Sequence, residues 1–113
     1  MTKIYGIKNC DTMKKAFTWL EENGVNYIFH DYKKDGANED VLRAAIAEHG
    51  WENVINRRGT TWKKLPENVK ENMDETGAIE VAMDNPSIVK RPLLVHGKEI
   101  YLGFSQQDYS EIF

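Results

Sequence analysis

The chain has one cysteine, no apolar run long enough to span a bilayer and no surplus of basic residues, and each shortfall removes a class of function. A single cysteine, Cys10, among 113 residues excludes an internal disulfide and fits a reducing cytoplasm rather than an oxidising compartment. No segment approaches the roughly 18 consecutive apolar residues of a membrane helix, and Met1-Thr2-Lys3-Ile4-Tyr5-Gly6 has no basic region followed by an apolar stretch. A soluble, unprocessed protein without a membrane partner is therefore expected. The net charge of −3 argues against a basic footprint for DNA or RNA. His30, His49 and His96 have no metal-ligand spacing to one another or to Cys10, so neither a metal site nor a bound cofactor is expected. What is present is an ordinary globular composition, 41% hydrophobic and 29% charged, sufficient for one core. Residues 1–113 are expected to form a single domain.

The apolar pattern divides the chain into halves of different character. Lys3 to Ile7 reads as a strand, and Met13, Ala16, Phe17 and Leu20 form the i, i+3, i+4, i+7 stripe of a helix that Asn23-Gly24 terminates. Val25 to Tyr32, rich in aromatic and β-branched residues, predicts a second strand and hence a parallel βαβ unit. Lys33 to Asn38 reads as a polar loop, and Leu42, Ala45, Ile46 and His49 mark a helix stopped by Gly50. Asn56 to Thr61 reads as a cationic, hydroxyl-rich loop. Pro66 suits the start of a short helix, and Ile79, Ala82 and Met83 give another stripe ending at Asn85-Pro86. Pro92–His96 and Ile100–Leu102 flank a Gly97-Lys98 turn, and a last helix runs from about Ser105 to Ile112 with Tyr109 and Ile112 inward. Trp19, Trp51 and Trp62 read as core or core-edge residues, since no basic groove accompanies them. The series βαβ, helical block, ββα is an α/β arrangement of thioredoxin-like type, with a helical insertion at about 38–84.

Cys10 stands where the first strand gives way to the first helix. The free N–H groups and the positive dipole end of a helix favour a thiolate there, and Lys14, one turn on, can add positive potential. Asp11 opposes this, while Asn9 and Thr12 are candidate donors to an anion held in the same loop. A free cysteine is also common as a small buried hydrophobe; its place at a junction, outside any apolar stripe, favours chemistry. Met13 occupies the position where a Cys-x-x-Cys motif carries its second thiol. Any disulfide formed at Cys10 must then be resolved by a thiol from outside, whether glutathione, a glutaredoxin-like protein or a second copy. Two further segments offer anion binders: Arg57-Arg58-Gly59-Thr60-Thr61, which also reads as a solvated basic turn, and Lys90-Arg91-Pro92, a guanidinium directly before a proline.

These segments together carry a resemblance. Tyr5-Gly6-Ile7-Lys8-Asn9-Cys10-Asp11-Thr12-Met13-Lys14-Lys15-Ala16, Asn56 to Trp62, Asn85 to Pro92 and Gly103-Phe104 resemble, in order, the ArsC/Spx group of thioredoxin-fold proteins, which includes glutaredoxin-coupled arsenate reductases and small YffB-type members. The resemblance implies that Cys10 is the nucleophile, Lys14 the basic residue of the Cys-x-x-x-Lys/Arg loop, and Arg91 the arginine before Pro92 that approaches the thiolate. A second family arginine maps to Arg58, or to Arg57 if one residue is gapped. The third arginine of the arsenate reductases has no counterpart, its place being taken by Gly103. A glutathione-dependent thiol oxidoreductase of arsenate reductase-like type is the implied function, with glutathione as co-substrate. The alternative is a non-catalytic Spx-like regulator that binds RNA polymerase, although the Cys-x-x-Cys switch common in that group is absent.

Overall fold

A computed structural model describes all residues, 1–113, and the chain divides into two compact units: residues 1–35 with 91–113, and residues 36–90. In the first unit, β1 (Thr2–Gly6) leads into α1 (Asp11–Glu22), and β2 (Ile28–Asp31) returns parallel to β1. A helical turn, α2 (Tyr32–Asp35), follows directly. After the second unit come β3 (Leu93–His96), β4 (Glu99–Leu102) and α8 (Gln106–Ile112). The sheet order is β2-β1-β3-β4, with β3 antiparallel to both neighbours. Register places Ile4, Phe29, Leu94 and Tyr101 side by side, hence on one face. Ile4 and Leu94 pack there with Met13, Ala16 and Leu20 of α1 and with Tyr109 of α8, all six 1% exposed or less. Each large apolar side chain so buried contributes about 1.5–3 kcal/mol. A βαβ half and a ββα half sharing one mixed sheet make this unit thioredoxin-like.

The second unit is helical: α3 (Glu39–His49), three short helices α4 (Trp51–Val54), α5 (Thr60–Lys63) and α6 (Glu67–Glu71), α7 (Glu75–Asp84) and a 3-10 turn at Pro86–Ile88. Side-chain caps set the two longer helices. Asn38 Oδ1 accepts from the Val41 N–H at 3.1 Å, and Asp74 Oδ1 from the Gly77 N–H at 2.8 Å. An isolated bridge between Ile55 and Val89, with the Lys90 N–H donating to the Val54 carbonyl at 2.8 Å, ties the end of this unit to its middle.

Several expectations are corrected. The second strand is half the anticipated length. Its start is displaced because the Val25 N–H donates back to the Leu20 carbonyl at 2.9 Å as part of the α1 terminus. Its end is cut because Asp31 Oδ1 accepts from the Lys33 N–H at 3.0 Å and turns Tyr32 into a helical turn within the expected loop. Thr60 and Thr61 belong to α5 rather than to the preceding loop. Met83 is exposed, and Ala78 takes the inward position beside Ile79 and Ala82.

Candidate active site

The loop after β1 delivers Cys10 to the N-cap of α1 with extended backbone, φ −143° and ψ 127°. Its N–H is taken by the Lys8 carbonyl at 3.0 Å, and its own carbonyl accepts the first helical bond, from the Lys14 N–H at 3.0 Å. The side chain is half-buried. The thiol forms no capping hydrogen bond, in keeping with the weak acceptor character of neutral sulfur. A thiolate is a far stronger acceptor, and the N–H groups of Met13 and Thr12, two of the donors that a helix start leaves free, act on it.

Arg91 reaches the same sulfur from the turn before β3. Burial pushes the Cys10 thiol up; against it stand the Met13 N–H, a hydrogen bond from the Arg91 side chain, the Thr12 N–H and the Arg91 charge, and together they bring the thiol below its ordinary value. The Arg91–Pro92 peptide is cis and Pro92 is buried. The Pro92 carbonyl accepts from the Gly103 N–H at 2.9 Å, which joins the site to the end of β4. Gly103 has φ +78°, a left-handed conformation that disfavours any residue with a side chain.

Cys10, Thr12 and Arg91 are therefore brought together. Asn9 is exposed beside Cys10. Lys14 is exposed one turn further on and lines a groove along α1. Arg57 and Arg58 lie in the helical unit. The Arg57 guanidinium sits 5.7 Å above the Trp51 ring, itself stacked on Trp62, and the Arg58 N–H donates to Asn56 Oδ1 at 3.2 Å. No group of three His, Cys, Asp or Glu side chains could hold a metal ion.

The contact between Gly6 and Met13 and the placement of Tyr32 escaped the sequence. Met13 is fully buried, and its thioether occupies the space where a Cβ on Gly6 would stand, 2.5 Å from Sδ. The position of a second thiol is thus filled by core, and Gly6 makes the room. Tyr32 is also buried; desolvation drives its phenol far up, with the charge of Arg91 acting against this. The phenol thus lies within electrostatic reach of the arginine that holds Cys10. Its inward placement depends on β2 ending at Asp31, which residue type alone did not signal.

A cysteine at the N-cap of the first helix beside such a sheet, with an arginine brought to it from the start of β3, defines a thiol-bearing protein of the thioredoxin-like class. The chain belongs to the ArsC family, whose family model matches residues 5–112. It is similar to the solved structure of a protein called YffB, 50% identical, with a TM-score of 0.95 and coverage of 98% of this chain and 97% of that one. An arsenate reductase-related protein from Brucella melitensis is 47% identical over 97% of this chain and 92% of its own, with a TM-score of 0.77. The global transcriptional regulator Spx of Streptococcus pyogenes is 26% identical over 110 residues, 96% of this chain and 81% of that protein.

Proposed function

We propose that the chain is a cytoplasmic, glutathione-dependent thiol oxidoreductase of arsenate reductase-like type. Cys10 thiolate attacks one sulfur of a disulfide substrate, the substrate's S–S bond breaks, and the departing thiolate takes up a proton. The new disulfide on Cys10 is then attacked by glutathione thiolate, or by the thiol of a glutaredoxin-like protein, which frees Cys10 and carries the oxidation away. The observation that carries this reading is the Arg91 hydrogen bond to the Cys10 sulfur, which acts on the anion and leaves the neutral thiol little favoured. Met13, buried where an internal resolving thiol would stand, supports resolution from outside. The left-handed backbone at Gly103, where the arsenate reductases are expected to carry an arginine, favours a disulfide over arsenate as substrate.

The test is turnover of a glutathione mixed disulfide with glutathione as reductant. The proposal expects saturable turnover by the wild type, none by Cys10→Ser, and a glutathione adduct on Cys10 during the reaction. Absence of both adduct and turnover would overturn it. A second reading, an Spx-like regulator that binds RNA polymerase, is favoured by the 26% identity to that regulator across 96% of the chain. Co-purification of polymerase that is equal for wild type and Cys10→Ser would support it.

A further inference from the structure

A groove of about 600 Å³ runs along α1 within the first unit, starting one turn beyond Cys10. Its α1 wall carries Lys14, Thr18 and Glu22, the continuation at i+4 spacing of the row that Cys10 heads. Lys15 adds a second cation near the Cys10 end. Trp19 and Phe104, both half-buried, supply aromatic surface, and the Gln106 amide stands opposite. Asp11 does not line it. The groove thus has a definite polarity: two cations nearest the thiol, then aromatic rings, then one carboxylate at the far end. Lys14 apart, none of these groups is used by the chemistry at sulfur.

We infer that this groove receives the polypeptide carrying the disulfide attacked by Cys10, and selects chains with acidic residues near the bonded cysteine and an aromatic residue further along. The inference rests on the thiol reading above and names its substrate class. At 1.5 Å per residue, Lys14 lies about 6 Å and Trp19 about 13 Å along the helix from Cys10. An extended peptide covers about 3.4 Å per residue, so its acidic residues fall one or two positions, and its aromatic anchor at least about four positions, from its cysteine. The volume lies within the roughly 300–1,000 Å³ of sites that hold drug-sized molecules, enough for a few side chains of a bound peptide. Charge complementarity at the mouth and aromatic contact beyond it define one binding direction.

The probe is a synthetic peptide whose cysteine is activated as a 2-thiopyridyl disulfide, followed at positions two and three by glutamates and at position five by phenylalanine. A twin carries lysines in place of the glutamates. Cys10 thiolate attacks the peptide sulfur, the peptide–pyridyl S–S bond breaks, and the leaving group takes a proton and departs as pyridine-2-thione, whose absorbance reports the rate. Neutral dithiodipyridine reports the reactivity of Cys10 alone. The acidic peptide is expected to react about threefold to tenfold faster than its twin at low salt, from two exposed charge contacts reversed in sign. Lys15→Glu should abolish or invert that preference, and Thr18→Trp should slow both peptides by filling the groove. Both substitutions are at exposed positions and should leave the dithiodipyridine rate unchanged. Equal rates for the two peptides, or losses shared equally by dithiodipyridine, would overturn the inference and leave the thiol chemistry standing. Failure of Cys10 to react with dithiodipyridine would overturn the thiol reading itself.

Discussion

Arg91→Ala should slow Cys10 at low pH and accelerate it at high pH. A charge-assisted hydrogen bond is worth about 1.5–3 kcal/mol to the anion that receives it. Cys10 is only half-buried, so water replaces part of what Arg91 provides and the lower end of that range applies. Losing about 1.5 kcal/mol, little more than one pKa unit, lowers the thiolate population about tenfold at pH values below both titration midpoints. The remaining thiolate is more basic, and with a Brønsted coefficient of about 0.45 each one attacks disulfide about threefold faster. The net rate with dithiodipyridine should therefore fall about threefold on the acid side, then exceed that of the wild type by about threefold once both thiols are fully ionised. The assay is the second-order rate against pH, and its signature is a crossing of the two curves. A variant slower by a constant factor at every pH, or one indistinguishable from the wild type, would refute the role assigned to Arg91.

Other consequences concern stability. The Tyr109 hydroxyl is buried with no hydrogen-bond partner, so Tyr109→Phe should be neutral or stabilising by up to about 1–3 kcal/mol of relieved desolvation; a clear loss of Tm would contradict this. Gly6→Ala would put a methyl 2.5 Å from Met13 Sδ and should destabilise by about 1–3 kcal/mol in urea unfolding, whereas a neutral result would show that Met13 can move aside. Because the folded Cys10 thiol lies below its unfolded value, its ionisation adds stability that is fully present above the unfolded value of about 8.5 and is lost as pH falls through the folded value. The stability advantage of wild type over Cys10→Ser should accordingly grow with pH and level off, and an advantage independent of pH would count against it.

Much of the first unit could be read before any coordinates, because its signals are local. The Met13, Ala16, Leu20 stripe, the Asn23-Gly24 stop and the Gly97 turn each depend on neighbours a few residues away. The length of β2 could not, since it was decided by two competing hydrogen bonds: Val25 to Leu20 at one end and Asp31 to Lys33 at the other. Met83 fits the helical stripe as well as Ala78 does, and only packing distinguishes the inward residue. At the site, Cys10 was visible from its junction. Its partnership with Arg91 came from resemblance, because local pattern carries no information on which distant loop meets a helix start. The role of the Met13 and Thr12 N–H groups followed from the general properties of helix termini, whereas the placement of Tyr32 and the groove along α1 follow from the folded packing alone.

Whether the fold activates Cys10 is read from the ultraviolet absorbance of its thiolate as pH is raised, taken as a difference against Cys10→Ser. Tyr5, Tyr27, Tyr32 and Tyr109 are all shifted upward by burial first of all, so their ionisation stays clear of the thiol's range. A single transition centred below the ordinary thiol value of about 8.5 is predicted. A midpoint at or above that value would contradict the account.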